Sequence, residues 1–238
     1  MSVGRKLRLV LATLIAALVT SGAARANSIA IVNADFSNPV LPPGGVSQNV
    51  IPGWTGLPGG PNFAVSDEAV IPTVGSPNFA LVNNFSEVTS GISQQLTTGL
   101  ASGTSYDLSA YFGWRDDNLA STGGLQLWAG GAATNGTVVG GTLLASERVT
   151  LTQGQFVQGV LDYTSPMNDV LSGELLSIVL TGTPNQESFA QTDFDLVTLS
   201  DNAPADVPEP ATLALLGACL AILLVLRRAE GNGQSIAR

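Results

Sequence analysis

The chain has 238 residues, a formal net charge of −9, 27 glycines, 13 prolines, one cysteine and no histidine. Without histidine there is no Ser-His-Asp triad, no Cys-His pair, no histidine-ligated zinc and no imidazole base. The charge is uneven: between Asn27 and Asp206 two arginines, Arg115 and Arg148, face sixteen acidic residues, a net of −14 that excludes nucleic acid as a partner.

Residues 1–26 read as a signal peptide. Arg5, Lys6 and Arg8 form a positive start, Leu9 to Thr20 is a 12-residue apolar run, and Ala24-Arg25-Ala26 supplies the small residues a signal peptidase needs. The run is shorter than the roughly 20 residues that span a bilayer, so cleavage after Ala26 is expected, leaving Asn27 as the mature N-terminus.

Residues 27–200 carry the signature of one all-β domain, with glycine and proline punctuating short alternating apolar runs. The expected strands, in chain order, are Ile29 to Phe36, Asn62 to Ser66, Asn78 to Val82, Ile92 to Leu96 and Ser105 to Trp114. Then come the run around Leu125 and Leu127, Thr142 to Ala145, Arg148 to Thr152, Gln155 to Tyr163, Leu175 to Leu180 and Asp193 to Leu199. Tyr106, Leu108, Ala110, Phe112 and Trp114 share one face of their strand, and Asp107, Ser109 and Tyr111 the other. No stretch before Ala211 holds a helical period for three turns, so the expectation is an antiparallel sandwich. The single cysteine, Cys219, lies beyond this domain, which therefore has no disulfide.

Three local motifs narrow the fold: Ile31-Val32-Asn33-Ala34-Asp35-Phe36, then Ile51-Pro52-Gly53-Trp54, and near the end Asp193-Phe194-Asp195-Leu196-Val197-Thr198-Leu199. Together they resemble the galactose-binding-like jelly roll of bacterial carbohydrate-binding modules, with Ala34 where that pattern has glycine and Ser37 where it has glutamate. The resemblance implies a structural calcium between first and last strands, carried by Asp35 and Asp195, with Asn33 or Asp193 as further oxygen donors. Ser37 removes one expected ligand.

A sugar-binding face needs aromatic rings pointing away from the core with polar groups beside them. Trp54 and Trp114 read as core residues. Tyr111 and Trp128 fall on polar faces, and Arg115-Asp116-Asp117-Asn118 follows Trp114, so Tyr111, Arg115, Asp116, Asn118 and Trp128 form the expected ligand face. Sixteen carboxylates could supply a glycosidase pair, but no spacing singles one out. With no histidine or lysine, and no cysteine, in the exported segment, most nucleophile activation is unavailable, and the expectation is a protein that is not an enzyme.

After a linker over 201–210, Val207-Pro208-Glu209-Pro210 precedes 16 uncharged residues, Ala211 to Leu226, and then Arg227-Arg228. As a helix the apolar run is about 24 Å long, close to a hydrocarbon core, and the arginines belong on the cytoplasmic side, with 227–238 a basic tail. The order Pro208-Glu209-Pro210, apolar helix, Arg227-Arg228 resembles the PEP-CTERM sorting signal of Gram-negative bacteria. That resemblance implies processing by an exosortase, transient anchoring in the membrane through 211–226 and delivery to the cell surface or extracellular matrix. The functional expectation is a surface-sorted, non-catalytic protein that contacts exopolysaccharide. The alternatives are a purely structural surface or biofilm protein, or a glycoside hydrolase.

Overall fold

The computed structural model describes residues 26–48, 51–56, 63–67, 73–84, 89–117, 119, 121–185 and 190–202. The expected signal peptide, sorting motif, membrane helix and tail lie outside the described residues; among those described, no helix is long and apolar enough to cross a membrane.

Fourteen strands are described, and the seven longest, all between Ser90 and Asn202, supply most of the core. In chain order they are β1 (Asn27–Ser28), β2 (Val46–Gln48), β3 (Thr55–Gly56), β4 (Phe63–Ser66), β5 (Phe79–Asn84), β6 (Ser90–Gly99) and β7 (Ser105–Trp114). These are followed by β8 (Ser121–Ala129), β9 (Ala132–Thr134), β10 (Thr137–Val139), β11 (Thr142–Thr150), β12 (Gln155–Thr164), β13 (Leu175–Pro184) and β14 (Ala190–Asn202). The larger sheet runs β12-β7-β14-β5-β4-β2, with β1 against the end of β14. The smaller runs β11-β8-β13-β6-β3, and β9-β10 form a separate hairpin. Every pairing is antiparallel. This is the expected all-β jelly-roll sandwich.

Alternation decides which side chains fill it. Tyr106, Leu108, Ala110 and Phe112 of β7 meet Leu125 and Leu127 of β8, Leu176, Ile178 and Leu180 of β13, and Phe194, Val197 and Leu199 of β14 in one buried cluster. Phe112 and Phe194 cross edge to face at 5.5 Å, the arrangement that ring quadrupoles favour. Trp54 lies in this core as expected, its ring 5.6 Å from Phe36.

Two strand expectations change. Ile29 to Phe36 is not a strand beyond β1: residues 32–35 form a turn, and Asn33 and Phe36 have φ of 53°. Polar side chains take over the backbone here. Asn33 bonds Asn38 and Pro52, and the buried Gln94 side chain both accepts from Val32 N (2.8 Å) and donates to Val32 O (2.9 Å). Conversely, Thr142 to Ala145 and Arg148 to Thr152 are mainly one strand, β11, interrupted by a bulge between Leu143 and Ala145.

A second bulge, between Asp195 and Thr198 of β14, matters more. Before it, Thr192 and Phe194 point inward and Gln191, Asp193 and Asp195 outward; after it, Val197 and Leu199 point inward. The extra residue, Leu196, sits at φ 38°, and its N–H is accepted by its neighbour's Asp195 Oδ1 at 2.7 Å. One inserted residue thus reverses which alternate positions face the core.

Candidate functional site

The outward face of the larger sheet holds a line of residues set by strand register. Phe156 lies opposite Gly113, Gly113 opposite Asp193, Asp193 opposite Leu81, Leu81 opposite Ala64, and Ala64 opposite Gln48. One step along, Gln191 lies opposite Asn83. Val46, Gln48, Ala64, Leu81, Asn83, Arg115 and Gln191 line an open cleft of about 160 Å³ on this face.

Apolar side chains rarely stay buried on the outside of a sandwich, yet Ala64, Phe79 and Leu81 form a second buried cluster here, with Phe156 packed on it. Phe79 and Phe156 meet at 6.2 Å between ring centroids, tilted 67°. Their strands, β5 and β12, are separated by β14 and β7, about 14 Å of sheet, so the two side chains reach toward each other across the strands that carry Gly113 and Asp193. Gly113 has no side chain to prevent this. On the same face Asp193, between Gly113 and Leu81 in the register, has no solvent exposure. Gln191, itself 6% exposed, donates from Nε2 to Asp193 Oδ1 at 2.6 Å.

Arg115 stands at the rim. Its Nε and Nη2 grip Asp117 at 2.9 and 2.8 Å, and the guanidinium holds the Asp117 carboxyl below the usual carboxylate range. The planar two-point contact fixes the guanidinium against the cleft wall.

The expected ligand face is divided. Tyr111 lies on the outward face of the larger sheet, opposite Asp195 and Gln158, and Arg115 borders the cleft beside it. Asp116 turns its carbonyl to Gln153 Nε2 (3.0 Å) in the adjoining turn, and Asn118 is outside the described residues. Trp128 is on the outward face of the smaller sheet, its indole N–H held by Gln126 at 2.9 Å. The sandwich therefore separates Trp128 from Tyr111, because β7 and β8 belong to different sheets.

Asp35 and Asp195 do come close: a Cβ built on Gly75 would touch both, Asp195 Oδ1 at 3.0 Å and the Asp35 Cβ at 3.3 Å. Their surroundings do not fit calcium. Asp195 Oδ2 accepts from Val74 N (2.7 Å) and Gly75 N (3.0 Å) and Oδ1 from Leu196 N, while Asp35 Oδ1 accepts the Ser37 hydroxyl at 2.8 Å. Calcium takes six to eight oxygens, and these carboxylates already accept bonds from four protein donors. Ser37, standing where the resembled pattern has glutamate, has become one of those donors. Among the described residues no group of three acidic, cysteine or histidine side chains could hold a metal. Burial pushes the Asp195 carboxyl above its ordinary range, against the N–H groups of Gly75, Val74 and Leu196, which lower it.

Neither Gln191 nor Asp193 stood out as an active-site residue in the sequence. The available signal was Gln191-Thr192-Asp193-Phe194-Asp195, polar at every second position in a strand whose intervening residues are core.

Fold and site together define a jelly-roll sandwich with a buried carboxyl group and an aromatic pair on one outward face, beside a partly apolar cleft. The family model described as HpiC1 cyclase matches residues 27–200, and the chain belongs to that family. The PEP-CTERM protein-sorting motif matches residues 206–229, so this is an exported protein carrying an exosortase-type signal. A Stig cyclase, Fisc, from Fischerella sp. TAU, solved with (3Z)-3-(1-methyl-2-pyrrolidinylidene)-3H-indole, is 21% identical at TM-score 0.62, covering 75% of this chain and 99% of that one. A cyclase from Fischerella sp. TAU solved with 4-(1H-indol-3-yl)butan-2-one is 20% identical at TM-score 0.61, covering 74% and 98%. The carbohydrate-binding module CBM4 matches at 16% identity and TM-score 0.42, over 72% and 99%, too distant to carry an argument. No curated protein sequence matches. The expectation that the protein is not an enzyme is overturned by the family match. Absence of histidine, lysine and cysteine from the exported segment leaves few nucleophilic routes, but an acid-catalysed ring closure needs only a proton moved, which a carboxyl group can do.

Proposed function

We propose that the exported domain is a small-molecule cyclase acting on an indole-class, largely apolar substrate, with Asp193 as its proton carrier. The observation that carries this reading is the Asp193 carboxyl, fully buried on the outward face where Phe79 and Phe156 pack, and held by Gln191, which lines the cleft. An acid-catalysed cyclisation that leaves the mass unchanged needs a proton delivered and a proton recovered. Of the described carboxyl groups, Asp193 and Asp195 are wholly buried, and Asp195 is tied to three backbone N–H groups. Leu81, Ala64 and Val46 offer the apolar wall for a flat ring, while Gln48 and Asn83 offer hydrogen bonds to a ring N–H or a side-chain carbonyl. The indole ligands of the Fischerella cyclases support this substrate class.

Extracellular polysaccharide is less well supported as a ligand, since the two rings expected to stack on sugar lie on opposite faces. The test is to incubate the purified full-length chain with a panel of 3-alkenylindoles and look for products of unchanged mass with one ring more. Asp193→Asn should lower turnover by at least about a hundredfold, the range of general acid catalysis. Full turnover in that variant removes Asp193 from the role, and depletion of the chain by native exopolysaccharide with no indole turnover favours the sugar reading.

A further inference from the structure

We infer that Gln191 is a positioning residue for Asp193, an inference that rests on Asp193 being the proton carrier proposed above. The two sit at alternate positions of β14, on the outward face, before the bulge. Both are buried, and Gln191 Nε2 donates to Asp193 Oδ1 at 2.6 Å. A carboxyl group can rotate about its last bond and carry its proton on either oxygen. With Oδ1 occupied as the acceptor of an amide N–H, rotation is arrested and the transferable proton belongs on Oδ2.

The same bond acts after transfer. When the Asp193 O–H bond breaks and a C–H bond forms at the substrate's alkene carbon, the O–H electron pair stays on a buried carboxylate. The Gln191 N–H then donates to an anion, which strengthens the bond and makes the acid easier to ionise. The carbocation is captured by a ring carbon in a new C–C bond. That carbon's proton returns to Asp193, so atoms and electrons balance with no oxidant or reductant. Gln191 also lines the cleft opposite Asn83, so substrate contact and acid geometry are set from the same short segment.

The charged and titratable groups placed near Asp193 on this face are Arg115 at the rim, Asp195 two residues along the strand, and Tyr111 opposite Asp195. All three stay in place in the test variant, Gln191→Leu, in the full-length chain. Two readouts are used. With a 3-alkenylindole that the wild type turns over, kcat should fall about tenfold with KM within twofold, and the basic limb of the pH–rate profile should move to higher pH. Independently of turnover, the infrared carboxyl stretch lost in Asp193→Asn should change frequency in Gln191→Leu and titrate at higher pH. If the leucine variant does not fold, Gln191→Met, of similar length and without the donor, carries both readouts. An unmoved band and an unmoved profile, with Asp193→Asn inactive, overturn the role of Gln191 and leave Asp193 standing. An active Asp193→Asn brings down the proton carrier itself.

Discussion

Replacing Asp195 with alanine tests whether backbone donors, rather than a metal, hold the first and last segments together. In the native protein Asp195 is fully buried and its two oxygens accept from Val74 N, Gly75 N and Leu196 N, at 2.7, 3.0 and 2.7 Å. Alanine leaves all three without their acceptor. Val74 and Gly75 lie in an exposed turn, where water can replace the carboxylate. Leu196, in the bulge at φ 38°, is less accessible, and stranding a buried donor costs about 1–3 kcal/mol. Removing a buried charge offsets part of this, because burial is what raises the Asp195 pKa. The expected net loss is about 2 kcal/mol, or about 4–8 °C in Tm for a domain of this size. Asp195→Asn, which keeps one carbonyl oxygen for Val74 and Gly75, should lose about half as much. Urea unfolding of the full-length chain followed by tryptophan fluorescence measures both, with EDTA and millimolar calcium as parallel conditions. Wild-type midpoints should agree in the two. An alanine variant within about 0.5 kcal/mol of wild type refutes the reasoning, since ordinary surface changes fall in that range. A wild-type midpoint that rises with calcium and falls in EDTA, with the response gone in Asp195→Ala, does so more directly.

Phe156→Ala should open the cover over Asp193: turnover of the indole panel drops at least tenfold while stability falls by about 1–2 kcal/mol, a half-buried ring's worth, and unchanged kinetics would falsify the shielding argument. Trp128→Ala, on the other sheet's outward face, should leave indole turnover within twofold; a loss of turnover without loss of fold places the site elsewhere. Burial raises the Tyr106 pKa above 10, and the Tyr106 hydroxyl accepts Ala101 N at 2.7 Å. A raised native pKa means stability is intact below about pH 10 and is lost as pH rises through the native value. Tyr106→Phe should therefore lose about 1 kcal/mol at neutral pH yet show a shallower alkaline decline, measured by urea midpoints from pH 8 to 11.

Strand location was readable wherever alternation was local. Ser105–Trp114 is bounded by a turn on each side, and its five inward residues announce both the strand and its buried face. The segment Ile29 to Phe36 has the same apolar rhythm but fails as a strand, because Asn33 and the distant Gln94 satisfy its backbone instead of a ladder. Gln94 is 62 residues from Val32, a separation no local pattern registers. The expected ligand face is divided for a different reason: Tyr111 and Trp128 each lie on an outward face, but a sandwich has two of them, and only sheet membership says which residue has which.

By itself the sequence determined the exclusions and the class of fold. No histidine, a −14 exported segment without cysteine, glycine-punctuated alternation and the Pro208-Glu209-Pro210 tail leave an exported all-β domain whose available acids and bases are carboxylates. Tertiary structure decided how the carboxylates differ. Asp193 and Asp195 look equivalent in the chain, two positions apart on one strand. Register sets Asp193 between Gly113 and Leu81, where rings from strands three spacings apart can close over it, whereas the bulge and the Val74-Gly75 turn consume Asp195 in hydrogen bonds. Alternation is a property of one strand and is written locally; the environment above a residue is built by its neighbours across the sheet, and that is settled only when the strands pair.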